Sequence, residues 1–237
     1  TVGPDEVVVT FRTDDVREVA TTVGGHAVVT SGRYHSARVT GLEPGATYDL
    51  AVEGAPAGPL LPARVTTLAA APGRLLATVA TVNDVHFGET ECGLLGTPEE
   101  LGPVFSAEPG AEPYPEVMNR GAIAAIERLD PDAVVVKGDL TNLGTEEEYE
   151  AFRTAYGRLG DRLHHVRGNH DAMITGTIAA HGPVAVDLPG VVLAVLDTVR
   201  PGSEKGRITS DQLEWLDARS EEHTSELQSL AYLVCRL

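Results

Sequence analysis

The sequence predicts an α/β layered domain, its sheets flanked by helices, preceded by a small all-β sandwich. Three observations carry that expectation. Residues 1 to about 68 hold five short stretches rich in β-branched residues, punctuated by Gly, Pro and Asp, with no helical period. From residue 74 onward, apolar runs such as "RLLATVATVNDVH" and "DAVVVKGD" alternate with stretches of helical period, the signature of strands interleaved with helices. Between the two parts lies "AAAPG", residues 69–73, small residues with Pro and Gly that read as a linker.

Bulk properties narrow the function classes. A chain of 237 residues suffices for two modest domains with a core each. Thirty-five acidic against eighteen basic residues give a net charge of −17, which disfavours a nucleic-acid polymer as partner, since its phosphates call for Lys and Arg. A phosphate-bearing small substrate would need local positive charge, which bound divalent cations can supply. No apolar run approaches the roughly 20 residues of a membrane span. Cys92 and Cys235 are too few for a disulfide scaffold, and Cys92, beside acidic residues, reads as a bystander thiol. The chain opens at Thr1 without Met or a signal-like apolar core, so no compartment is read from it.

In the first part the expected strands are "EVVVTFRT", "HAVVTS", "SARVTGL", "TYDLAVEG" and "ARVTTL". Leu42, Pro44 and Tyr48 have the spacing of a tyrosine corner, in which a phenol near a strand start bonds back to the preceding turn. The segment resembles a fibronectin type III domain or the N-terminal domain of purple acid phosphatases. In the second part a helix is expected near residues 116–129, with Met118, Ala122, Ile126 and Leu129 on one face. Thr145 and Glu148 form a capping box, and Tyr149, Phe152, Tyr156 and Leu159 continue an apolar stripe read as core. "VAVDLPGVVLAVLDT" reads as a hairpin turning at Pro189-Gly190, and Thr209 with Gln212 caps a helix carrying Leu213, Trp215 and Leu216.

Three polar clusters follow the apolar strands. Asp84-Val85-His86 alternates carboxylate and imidazole, and period two would put both on one side. Gly138-Asp139 brings a carboxylate to the sheet edge. Gly168-Asn169-His170-Asp171 follows "RLHHVR", a run with a chance expectation of about one in a thousand in a chain this long. Carboxyl ends of strands are where α/β sheets place their ligand sites.

The order D-x-H, G-D, G-N-H-D resembles the calcineurin-like metallophosphoesterase superfamily over residues 74–218. That resemblance implies a dinuclear, metal-dependent phosphoester hydrolase in which a hydroxide bridging two divalent cations (Mn, Fe or Zn) attacks phosphorus in line. Asp84 and His86 would bind the first cation, Asp139 would bridge both and Asn169 would bind the second. His170 would contact the phosphate and the leaving group, with Asp171 orienting its ring. Purple acid phosphatases carry a tyrosine three residues after the bridging Asp, where this chain has Asn142, and they lack the histidine present here as His86. The metal set thus looks more like the cyclic-nucleotide phosphodiesterase type, as does "VLDTVRPGSEKGRITSDQLEWL".

The last nineteen residues read differently. Arg219 to Ser229 and the ending "YLVCRL" match, in one frame, the translation of a short-read sequencing adapter, so protein-specific information is expected to end near Ala218. The superfamily's later histidine motifs are then missing, His223 and Cys235 are not recruited as ligands, and residues 1–237 are expected to be crippled as a catalyst. His164, His165 and His181 are read as non-ligands. Two other readings stay open: a phosphomonoesterase of acid-phosphatase type, and a non-catalytic binding module using the N-terminal sandwich.

Overall fold

In a computed structural model, which describes residues 1–92, 105–224 and 229–234, the chain divides into two compact units, Thr1–Arg74 and Leu75–Leu237. The first unit is all β. Strands β1 (Glu6–Val23), β2 (His26–Thr40), β3 (Thr47–Val52) and β4 (Arg64–Thr66) are hydrogen-bonded in the order β2-β1-β3-β4, all antiparallel. Two long strands thus replace three of the short ones expected. "HAVVTS" and "SARVTGL" are halves of β2, and "DDVREVATTV", too polar at its start to read as a strand, completes β1.

The hairpin turns at Gly24-Gly25, both at positive φ, the backbone that a tight two-residue turn needs. Its register shifts between Arg12 and Arg17, where Thr13 bonds across to His35. Val7 and Val23 nevertheless share one buried cluster with Val39, Leu42 and Leu50. A straight strand would hold Val7 about 50 Å from Val23, so the hairpin folds across itself at the shift and closes two layers over one core. The tyrosine corner forms as expected: the Glu43 N–H donates to the Tyr48 hydroxyl at 2.7 Å.

The second unit is a layered α/β structure. Strand β5 (Val79–Asn83) is followed by a short antiparallel pair, β6 (Glu91–Cys92) and β7 (Phe105–Ser106), and by helix α1 (Tyr114–Leu129). Then come β8 (Ala133–Lys137), α2 (Glu146–Tyr156) and β9 (Leu163–Val166). The strands β5, β8 and β9 are parallel in the order β5-β8-β9. Ala133 to Val136 of the central strand are 0% exposed because both faces are covered. Val134 and Val136 pack with Ile123, Ile126, Phe152 and Tyr156 of the helices, while Ala133 and Val135 meet Val186, Leu193 and Val195 of a second sheet.

That sheet begins with the predicted hairpin, β10 (Val184–Leu188) and β11 (Val191–Leu196). Ala194 and Leu196, on the far face of β11, pack with Leu216 of α3 (Ser210–Thr224), whose start is capped by Thr209 and Gln212. The layers therefore run helix, sheet, sheet, helix. Beyond Ala218, α3 continues to Thr224 and β12 (Ser229–Val234) pairs parallel to β11. β12 thus occupies the edge of β11 that β10 leaves open, where backbone groups would otherwise lack partners. The side chains of Cys92, His223 and Cys235 lie outside the described residues.

Helix α1 presents a different face from the one expected. Pro115, Asn119, Ile123 and Ile126 are buried, whereas Met118 and Leu129 are 68% and 59% exposed. A buried amide explains the rotation: Asn119 Nδ2 donates to the Val85 carbonyl at 2.7 Å, and its Oδ1 accepts from the Tyr156 hydroxyl at 2.8 Å. Hydrophobic period alone misplaces a helix whose core contact is polar. The α2 stripe is as expected, with its capping box formed and Phe152 and Tyr156 fully buried.

Candidate metal centre

Three loops leave the carboxyl ends of β5, β8 and β9 side by side. Asp84, His86 and Asp139 each bring one donor atom into a group whose members all lie within 4.8 Å of one another. All three sit in left-handed backbone conformations, at φ 52°, 45° and 45°, and they make up three of the five described non-glycine residues at positive φ. Such conformations are held only where surroundings over-determine them, and they concentrate at functional sites. The convergence of Asp84 and His86 is thus the work of tight turns beyond Asn83, not of strand period as the sequence suggests.

What over-determines these turns is a second ladder continuing past the strands. The His86 N–H donates to the Asp139 carbonyl at 2.9 Å, Phe87 N–H to Leu140 O at 3.1 Å, and Asn142 N–H to Phe87 O at 2.9 Å. Gly168 presses on Asp139 from the third loop. A Cβ there would fall inside contact distance of Asp139 Oδ1 and its backbone nitrogen, so only glycine lets the loops close this far. The next residue but one, His170, donates its backbone N–H to Asp139 Oδ1 at 3.0 Å. Asn169, between these two contacts, is half-buried.

Asp171 takes a different part from the one the resemblance implies. Its carboxylate, 0% exposed, accepts from Gly168 N, Leu140 N, Thr141 N and Thr141 Oγ1 at 2.7, 3.1, 2.8 and 2.6 Å. The three donors from Leu140 and Thr141 bind the second loop to the third, and Gly168 N closes the third loop on itself. The ring of His170 is held instead through Nδ1 by the Asn142 carbonyl, at 2.6 Å. Asp171 is therefore a structural tie, and Asn142 supplies the ring's partner from its main chain. A backbone acceptor leaves no mark on residue identity, which is why the sequence did not show it.

The electrostatics suit a cation. Burial, and then the neighbouring Asp139 carboxylate, raise the Asp84 carboxyl above its ordinary range, with His86 and His170 pulling it back. Burial likewise raises Asp171, opposed by the hydrogen bonds it accepts. His86 Nε2 lies 3.7 Å from Asp139 Oδ2, and the rings of His86 and His170 meet edge to face with centroids 4.7 Å apart. His165 stands outside the group: its Nε2 is 2.9 Å from the Tyr149 hydroxyl, on the α2 side of the sheet, and His181 is bonded through Nε2 to the His165 carbonyl. Two residues unremarked in the sequence adjoin the site: Glu89, three residues past His86 in the same tight turn, and Tyr114, which donates to Glu89.

Comparison with known proteins decides the family. The model of the calcineurin-like phosphoesterases matches residues 77–229. The chain belongs to that family. This phosphoesterase chain is 31% identical over 105 residues to a probable cyclic nucleotide phosphodiesterase of Synechococcus, covering 42% of this chain and 41% of that protein. It is 33% identical over 119 residues to the glycerophosphodiester phosphodiesterase GpdQ of Enterobacter lignolyticus, covering 43% of each. The chain thus spans about two-fifths of the length of these curated relatives. A dimetal phosphatase from Danio rerio shares the fold, with a TM-score of 0.51 at 14% identity over 67% of this chain and 69% of that one.

Proposed function

We propose that this phosphoesterase chain carries the catalytic centre of a hydrolase that acts on phosphodiesters with two divalent cations. The observation supporting it is the convergence of Asp84, His86 and Asp139 on one point through three strained turns. Carboxylate and amide oxygens with an imidazole suit Mn, Fe or Zn. Asp84 and His86 would hold one cation, Asp139 would be shared, and Asn169 would serve the other. Bound there, the cations supply charge neutralisation at the phosphoryl group and a bound water acidic enough to act near neutral pH.

The chain's own groups do the rest. Because a carbonyl only accepts, the bond to Asn142 places a proton on His170 Nδ1. Nε2 then carries a proton only in the imidazolium form, and in that form it can donate to a departing oxygen. Asp171 keeps His170 in place by fixing the loop that carries it. The names of the two relatives favour a diester over a monoester, and the charge of −17 favours a small substrate over a nucleic-acid polymer. We also read the first unit as a fibronectin type III-like sandwich, on the strength of its folded-over hairpin and tyrosine corner.

The test is hydrolysis of bis-p-nitrophenyl phosphate and p-nitrophenyl phosphate by the full-length protein with Mn²⁺. The diester should turn over faster, chelation should abolish both rates, and Asp139→Ala should lose at least about a hundredfold. Undiminished activity in that variant, or no metal-dependent turnover of either ester, would overturn the proposal.

A further inference from the structure

The Nδ1 atom of His86 is buried and has no hydrogen-bond partner. A buried polar atom left alone is costly, so its neighbours bear on its purpose. The acidic group facing it is Glu89, whose Oε2 lies 3.8 Å away, and the two side chains are only 16% and 12% exposed. Glu89 is itself held on two sides. Its N–H donates to the His86 carbonyl at 3.1 Å, closing a turn that starts at the histidine, and its Oε2 accepts from the Tyr114 hydroxyl at the first turn of α1. On the other side of the imidazole, Nε2 faces Asp139.

We propose that Glu89, steadied by Tyr114, is the positioning residue that keeps His86 protonated on Nδ1 and so leaves the Nε2 lone pair aimed at the cation. This rests on the metal-site reading above. An imidazole can offer one nitrogen as a ligand only while its proton sits on the other, and a carboxylate beside that other nitrogen fixes the choice and raises the ligand's basicity. At 3.8 Å the carboxylate is within ion-pair reach of Nδ1 and beyond a direct hydrogen bond. No charged residue other than Glu89 and Asp139 is placed within ion-pair reach of the ring among the described residues.

The arrangement is tested on the full chain labelled with ¹⁵N-histidine, free of metal, at about pH 8 where an ordinary histidine is neutral. Long-range ¹H–¹⁵N spectra, with the His86 signals assigned by their loss in His86→Asn, should show the Nδ1–H tautomer in the native protein. In Glu89→Ala the population should move toward Nε2–H, and the Mn²⁺ dissociation constant from calorimetry should rise about tenfold or more. Glu89→Gln, which keeps an oxygen acceptor and the side-chain shape, should recover the tautomer and part of the affinity. Tyr114→Phe should weaken both effects without abolishing them, and reads the same device should Glu89→Ala fold poorly. An unchanged tautomer in Glu89→Ala, or native Mn²⁺ affinity in it, overturns the assignment. Failure of the native chain to bind Mn²⁺ would count against the metal centre itself, and the metal-free spectra would then still decide on Glu89.

Discussion

Gly168 shows how narrow the tolerances of this centre are. The loop after β9 reaches the Asp139 carboxylate only because nothing projects from the Gly168 α-carbon toward it. Gly168→Ala should therefore push Asp139 Oδ1 off its bond from His170 N–H, weakening Mn²⁺ binding about tenfold or more while costing roughly 1–3 kcal/mol of stability. Calorimetric titration with a parallel melting curve checks both, and native affinity in the variant would show the loop free to retreat. At this scale the sequence was most informative about donors. Asp84, His86 and Asp139 stand together as their side-chain chemistry suggests, because carboxylates and imidazoles after buried strands have few other reasons to be there. Partnerships were harder to read. His170 leans on a main-chain carbonyl and three of the four donors to Asp171 are backbone N–H groups, bonds that do not depend on which side chain occupies the other end.

Strand β9 with helix α2 carries a pH response of its own. Tyr149 and Phe152 of α2 surround His165, and burial, with smaller contributions from His181 and His164, lowers its pKa from the ordinary 6.5 to about 4. Above pH 6.5 the ring is neutral in folded and unfolded chains and contributes no slope. As pH falls from 6.5 toward 4, the unfolded chain takes up the proton first, and stability drops by up to about 3 kcal/mol. Below about 4 both forms are protonated and the loss is complete. His165→Gln should flatten that interval in denaturant titrations across pH, and an unaltered slope would place its origin in other groups. The elements themselves were legible to different degrees. Capping signals and the Pro-Gly hairpin placed α2, α3, β10 and β11 well, since each depends on local chemistry. The face of α1 and the continuity of β1 were not legible, because a buried asparagine and a polar strand segment both run against hydrophobic period.

The whole chain consists of two units, each with its own buried cluster, and only the second holds the candidate centre. Mn²⁺ at about a hundred times its dissociation constant should stabilise the second unit by about 2.7 kcal/mol, raising its unfolding temperature by a few degrees. Amide exchange should show the protection in residues 75–218 and not in 1–74, and Asp139→Ala should remove it; protection spread equally over both would contradict a site confined to one unit. The left-handed turns at 84, 86 and 139 have one more implication. Two of them, His86 and Asp139, are tied to each other main chain to main chain, so an opening there for an ion would have dimensions that side-chain replacement nearby can scarcely retune. Ionic radius would then be read by the skeleton of the protein, and a change of preferred element would require new turns before new ligands.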